Sequence, residues 1–340
     1  MGQSAEITKW EIGDPAFWEA TGRRIATRNL WISIPALLLA FAVWMLFSVV
    51  AVNLNRAGFR FTTDQLFWLT ALPALSGATL RIFYSFMVPI FGGRRWTALS
   101  TAMLAIPTLW LALAVQDPAT PYWQFVAIAI LCGLGGGNFA SSMANISFFY
   151  PKQMQGYALG MNAGLGNLGV STVQFLVPAV VTAGVFGSLA GSPQAGTGEP
   201  GLFLQNAGFL WIPLLVASAL AAWFGMNDLA SARSSFNEQA SIFKRKHNWL
   251  MCWLYVGTFG SFIGFSAAFP LLVKTQFPGV DPLDYAFLGP LVGALARPAG
   301  GWLADRIGGA MLTFWVFLLL IAGVVLKIYF LPHAGSAGSF

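Results

Sequence analysis

Charge is what this chain has least of. Only 9% of its 340 residues are Asp, Glu, Lys or Arg, where a water-soluble domain carries about 25%. Hydrophobic residues make up 57% and the mean hydropathy is +0.68. A large core does not account for so wide a deficit, so lipid is the solvent for most of the chain. Cysteine is nearly absent. Cys132 and Cys252 both fall inside apolar segments, where they read as small core residues outside any disulfide framework. Histidine is as scarce, with His247 in a loop and His333 in the tail. Without a grouping of His, Cys and acids, a membrane enzyme built on a metal or a nucleophile–base pair has nothing to work with, and no cofactor or metal is implied. The net charge of +6 would suit nucleic acid. Here the basic residues lie between long apolar runs, the pattern of cytoplasmic loops, so nucleic acid drops out as a partner.

What is present is a series of runs long enough to span a bilayer, which takes about 20 mainly apolar residues. Nine qualify: 30–53, 65–91, 96–115, 122–150, 156–184, 207–226, 249–273, 285–304 and 310–331. The expected fold class is all-α, integral membrane. Residues 1–29 are polar, and the first run lacks a small-residue cleavage site. Lys9, Arg23, Arg24, Arg28, Arg94, Arg95, Lys152, Arg233, Lys244, Arg245, Lys246 and Arg306 share one side if the N-terminus is inside. The excess of cytoplasmic Lys and Arg then places the N-terminus in the cytoplasm.

An internal repeat runs through the series. Segment 2 reads Gly77-Ala78-Thr79-Leu80-Arg81, with Gly92-Gly93 after it. Segment 8 reads Gly293-Ala294-Leu295-Ala296-Arg297, with Gly308-Gly309 after it. In both, the arginine precedes the glycine pair by the same interval and the pair lies in an inner loop, so the repeats run the same way through the bilayer. Parallel six-helix repeats are one way transporters are built. The implied organisation is a cytoplasmic segment 1–29, a six-helix half 30–226, a cytoplasmic linker 227–248 and the start of a second half, 249–340.

A rise of about 1.5 Å per residue puts each arginine roughly 16 Å from its glycine turn, near the middle of a hydrocarbon core about 30 Å thick. An arginine there is costly. A structural ion pair would offset the cost, but every acid lies in the N-terminal segment, a loop or a helix end. Snorkelling suits helix ends better than the midplane. The remaining reading is that the counter-ion is the substrate, a planar oxyanion held by guanidinium forks. The absence of Asp, Glu and His at that depth also removes the usual proton relay. It favours exchange of one anion for another over proton symport, which stays the alternative.

Segments 4 and 5 are rich in glycine: Gly133, Gly135, Gly136 and Gly137 in one, Gly156, Gly160, Gly164, Gly166 and Gly169 in the other. Close helix packing is the ordinary reason for such a pattern, and Gly156, Gly160 and Gly164 are spaced for it. The buried asparagines need partners, whether other helices or a ligand. Residues 164–169 also match GxGxxG, but inside a spanning run, without the strand and helix N-terminus that a dinucleotide site requires.

These residues carry a resemblance. Gly133–Pro151 (GLGGGNFASSMANISFFYP), Gly156–Ser171 (GYALGMNAGLGNLGVS) and Phe67–Trp96 are similar to the nitrate/nitrite porters of the major facilitator superfamily, nearest to the NarK-type respiratory branch. The resemblance spans about Trp10 to Leu331. It implies a major facilitator fold of twelve helices and a nitrate or nitrite substrate clamped by Arg81 and Arg297. It assigns Asn167 and Tyr255 to the anion and Phe41, Phe139 and Phe259 to an aromatic sandwich. The stretch Gly301–Gly309 (GWLADRIGG), with Asp305 and Arg306, resembles the superfamily's inner-loop gating motif. The glycines Gly133, Gly135, Gly136, Gly137, Gly160, Gly164, Gly166 and Gly169 would serve gating and packing. The family implies a bacterial inner-membrane protein that transports as a monomer, exchanging nitrate and nitrite. It also implies a second glycine-rich signature in a helix beyond the ninth. A partial sequence is therefore expected, with a non-transporting fragment as an alternative.

Overall fold

Asp14 starts the first helix. Its carboxylate accepts from Ala16 N at 2.9 Å, and Pro15 occupies the first helical position, where its missing N–H costs nothing. The helix therefore begins well before the apolar run, within the segment expected to be only a polar extension. The computed structural model describes residues 6–186, 191–194, 201–277 and 279–330. Glu199, the middle of the 185–206 connection and the tail with His333 lie outside the described residues.

Nine long helical segments follow one another among the described residues. They are α1 (Pro15–Asn53), α2 (Thr63–Phe91), α3 (Gly93–Ala114), α4 (Tyr122–Phe149), α5 (Lys152–Val181), α6 (Asn206–Gly225), α7 (Lys246–Gln276), α8 (Leu288–Ile307) and α9 (Gly309–Tyr329). Eight are long and apolar enough to cross a membrane. The exception is α8, where Arg297, Asp305 and Arg306 share 20 residues with two prolines and several glycines. Its packing has to compensate for that polarity. Two residues of an N-terminal strand, β1 (Glu6–Ile7), pair in parallel with β2 (Asp228–Leu229), a small departure from an all-helical fold. The linker expected at 227–248 is thus partly ordered, with a short helix at Phe236–Ala240 as well.

The repeat is visible in the backbone. Gly92 ends α2 at φ +92° and Gly308 ends α8 at φ +88°, and no side-chain-bearing residue among those described has positive φ. Only glycine occupies that region cheaply, so the glycine pairs of the sequence are helix stops of matching geometry. At the other end of α2, Thr62 and Gln65 form a reciprocal capping box.

Contacts place α4 along α2, α5 against both α1 and α8, and α7 across α1 and α2, while α9 packs on α8. The main core runs through α1 and gathers Phe41, Phe47, Phe125 and Trp211, all almost fully buried. Polar links cross the bundle. Gln174 of α5 donates to Ser266 O of α7 at 2.8 Å and to Ser48 Oγ of α1 at 3.2 Å. Lys274 donates to the Val52 carbonyl. Cys132 is buried as expected, but Cys252 is exposed, because the first stretch of α7, Lys246–Tyr255, buries no residue on any face.

Beside the Gly92 turn between α2 and α3, Asp228 is 1% exposed. It accepts from the Arg94 backbone N–H at 2.8 Å and pairs with the Arg94 and Arg95 guanidiniums at 3.4 and 3.7 Å.

Candidate functional site

Arg81 of α2 and Arg297 of α8 meet where α1, α2, α4, α5, α7 and α8 converge. The Phe259 ring centroid is 4.5 Å from the Arg81 guanidinium carbon and 4.9 Å from that of Arg297. Phe139 lies 4.8 and 5.7 Å from the same two atoms. Guanidiniums favour the negative face of an aromatic ring, and more so out of water. The Tyr255 hydroxyl faces both cations, and its ring is 5.9 Å from Arg81.

The rings form a stack. Tyr255 and Phe259 lie 5.0 Å apart at 3°, and Phe139 and Phe259 5.2 Å apart at 24°. Tyr255 directly precedes a π-helical turn, Val256–Gly260, in α7. Such insertions recur at functional sites because they re-aim side chains. Phe41 of α1 meets Phe139 and Phe259 edge-on, at 5.9 and 6.3 Å. It closes the cluster from behind, while the rings shared by both cations are Phe139 and Phe259.

Each arginine has one fixed edge. Arg81 Nε donates to the Gly136 carbonyl at 3.0 Å, while its Nη2 is buried without a protein partner. Asn167 of α5, with its amide oxygen turned towards α8, accepts from Arg297 Nε at 3.2 Å and Nη1 at 3.1 Å. Among the described residues no acid pairs with either guanidinium. Two cations share a mostly buried aromatic cluster with donors left over. Such a cluster suits a small anion with several acceptor oxygens.

The glycines build the walls. In α4, a Cβ at Gly136 would lie 2.5 Å from the Trp44 ring, and one at Gly137 2.9 Å from that of Tyr84. Gly133 and Gly135 abut Ser76 of α2 and the Ala40 carbonyl of α1. In α5 the glycines separate onto two faces. Gly160 and Gly164 face α8 at Pro298, while Gly166 and Gly169 face Leu37 and Leu38 of α1. Asp305 places its carboxylate against Gly156 in the first helical turn of α5, and Arg306 lies 3.8 Å over the Trp302 ring. Neither touches the arginine cluster.

Every residue expected to contact the anion is therefore in or against one cluster, and the expected glycines line the helices around it, while Asp305 and Arg306 lie apart from it at the end of α8. Trp44 was not singled out by sequence, although it lies one turn from Phe41 on the same helix. The Gly136 carbonyl was not legible either, since a backbone acceptor has no sequence signal. Asn162 holds helices together: it donates to Ser142 Oγ at 2.9 Å, and Ser142 shares a hydrogen bond with Ser33.

Comparison with known proteins bears on this geometry. The pattern of the Major Facilitator Superfamily matches residues 32–339. Over 336 residues the chain is 57% identical to the nitrate/nitrite transporter NarU of Salmonella typhimurium, a match covering 98% of this chain and 72% of that protein. It is 56% identical to NarU of Escherichia coli, with the same coverage. The probable nitrate/nitrite antiporter NarK2 of Thermus thermophilus is 48% identical over 315 residues, which cover 90% of this chain and 70% of that protein.

Proposed function

This chain belongs to the major facilitator superfamily and, within it, to the family of these nitrate/nitrite transporters, and we propose that it carries nitrate and nitrite across the bilayer between Arg81 and Arg297. The observation that carries the reading is the pair of guanidiniums converging on one aromatic stack without an acidic partner among the described residues. A planar, monovalent oxyanion offers what the cluster lacks. It supplies one negative charge between two positive ones, and in-plane oxygens that accept from free guanidinium N–H groups and from the Tyr255 hydroxyl. The stacked rings shed water and strengthen those contacts.

Transport follows from which elements hold the site. Arg81, Gly136 and Asn167 belong to the half 30–226, and Arg297, Tyr255 and Phe259 to the half that begins at 249. An anion between them ties the halves together, and rocking of one half against the other exposes it to each side in turn. The glycine faces of α4 and α5 let helices shift at close range. Asp305 at the first turn of α5 is the inner-side contact that such a movement has to break. The cycle is exchange of nitrate for nitrite. Without an anion the two cations repel in a dry site, so the empty carrier is reluctant to return. Among the described residues, no Asp, Glu or His at the arginines' depth supplies a compensating proton.

The protein works as a monomer in a bacterial inner membrane, with its N-terminus in the cytoplasm. The Lys and Arg distribution and a site built from one chain support that. Nitrate binding to the purified protein tests the site. Arg81→Lys and Arg297→Lys should each weaken it at least tenfold, because a lysine lacks the planar fork; unchanged affinity in both would sink the clamp. Nitrate counterflow in liposomes tests the mode. Uptake driven by a pH gradient, with no nitrite inside, would replace exchange by symport.

A further inference from the structure

We propose that Trp44 is the positioning residue for Arg81, fixing the plane in which its guanidinium meets the anion. The inference rests on the nitrate reading above and adds a determinant to it. Trp44 is the last residue of the Arg23–Trp44 helix before a break at Met45 and Leu46, after which α1 resumes at Phe47. The interrupted turn lets the indole leave the helix surface and cross to α2. There its Nε1 donates to the Pro73 carbonyl at 2.6 Å, while its ring lies 5.1 Å from the Arg81 guanidinium carbon, two turns further along the same helix. The indole is 2% exposed and stacks at 21° on Phe259 of α7, 6.4 Å away. One side chain of α1 thus touches α2, its arginine and the ring shared by both cations.

Two helices leave space for it. A Cβ on Gly77 would lie 2.6 Å from Trp44 Nε1, and one on Gly136 2.5 Å from its Cε2. Gly136 is also the residue whose carbonyl accepts from Arg81 Nε. The indole, both glycines and the arginine therefore form one unit: the carbonyl fixes one edge of the guanidinium and the indole covers a face. The internal repeat holds a partial counterpart. Gly293, four residues before Arg297 as Gly77 is before Arg81, faces the Phe262 ring at 3.0 Å. In each copy a glycine one turn ahead of the arginine admits an aromatic from the helix that opens its half. Only on the Arg81 side does that aromatic lie on the cation itself. A core tryptophan would also pair its N–H, but it would need no contact with the cation.

The test is nitrate titration of purified protein, paired with initial rates of nitrate counterflow in liposomes. Trp44→Leu removes the face and should raise the Kd and KM for nitrate about 5- to 30-fold per folded molecule, the size of a desolvated cation–π contact, with the maximal rate changed far less. Trp44→Phe keeps an aromatic face without the donor and should restore affinity to within about threefold of the parent. Gly77→Ala, which pushes the indole off its seat, should weaken binding as Trp44→Leu does. Combining it with Trp44→Phe should recover the Trp44→Phe value. Wild-type affinity in Trp44→Leu would overturn the inference alone. So would a loss confined to the amount of folded protein, or one that Trp44→Phe fails to rescue. A parent protein that binds no nitrate would overturn this inference together with the function it rests on.

Discussion

Asn167 and Arg297 join α5 to α8 through one amide oxygen, which accepts from Nε at 3.2 Å and from Nη1 at 3.1 Å. The bond uses one edge of the guanidinium and leaves Nη2 for another acceptor. It also fixes how α8 is seated on α5, so one contact serves both the anion and the packing.

Asn167→Leu, close in volume but without an acceptor, leaves two N–H groups of Arg297 unpaired. Nitrate affinity should fall about tenfold or more, since a hydrogen bond to a charged group is worth about 1.5–3 kcal/mol. Asn167→Asp should be worse. Its carboxylate would become the permanent counter-ion of Arg297 and compete with the anion. Titration calorimetry with nitrate ranks the two.

The glycines of α5 are not equivalent. A Cβ at Gly160 would meet nothing nearer than 3.6 Å, whereas one at Gly164 would lie 2.6 Å from Pro298 Cδ. Gly160→Ala should be nearly neutral in thermal unfolding. Gly164→Ala should cost about 1–3 kcal/mol through overpacking and lower the midpoint accordingly.

Asp228 is the buried member of an ion-pair cluster whose Arg94 side chain is only 13% exposed. Asp228→Ala leaves the Arg94 backbone N–H without its acceptor and its guanidinium with the Trp223 carbonyl, at 2.8 Å, in place of a counter-ion, and should cost about 3 kcal/mol or more. Asp228→Asn keeps an acceptor oxygen and should fall between. Thermal unfolding in matched detergent gives the order.

Glu238 accepts from the Ser235 backbone N–H and the Ser234 hydroxyl, both at 2.9 Å. These bonds hold its carboxyl below the usual range, the backbone bond contributing most. Ser235 and Glu238 form a capping box at the Phe236–Ala240 helix, and a lowered folded-state pKa means that it contributes fully above the unfolded value of about 4.3. The contribution is lost as pH falls through the lower, folded value. Exchange protection of the Ser235 amide should persist as pH drops past that unfolded value and disappear only below it.

Much of this was legible in the sequence, for identifiable reasons. Hydrophobic run length located the spans, because lipid forces every backbone group into a helix. The repeat picked out Arg81 and Arg297, since an arginine at matched depth in two copies is conspicuous against an apolar background. The resemblance drew Asn167, Tyr255 and Phe139 to the same place. Legibility ended where geometry is made by the backbone. The break after Trp44, the π-helical turn after Tyr255 and the Gly136 carbonyl are conformations, and residue type does not spell them. The early start of α1 was signalled by Asp14-Pro15, but the polar stretch behind it masked the signal. Run length located α8 at 285–304, although its charges and prolines leave it less apolar than the other eight.

Gly156, Gly160 and Gly164 recur at one-turn intervals along the face of α5 that meets α8, and the Pro298 ring occupies the last of these three notches. A surface whose shape repeats every turn resembles a ruler without numerals: sliding one division along returns nearly the same fit. Shape alone therefore leaves the register of α8 on α5 weakly defined. The contacts at its two ends, the Asn167 amide on Arg297 and the Asp305 carboxylate packed against Gly156, are what mark the division in use. A change at either end should alter where α8 stops along α5 before it alters whether the two helices touch.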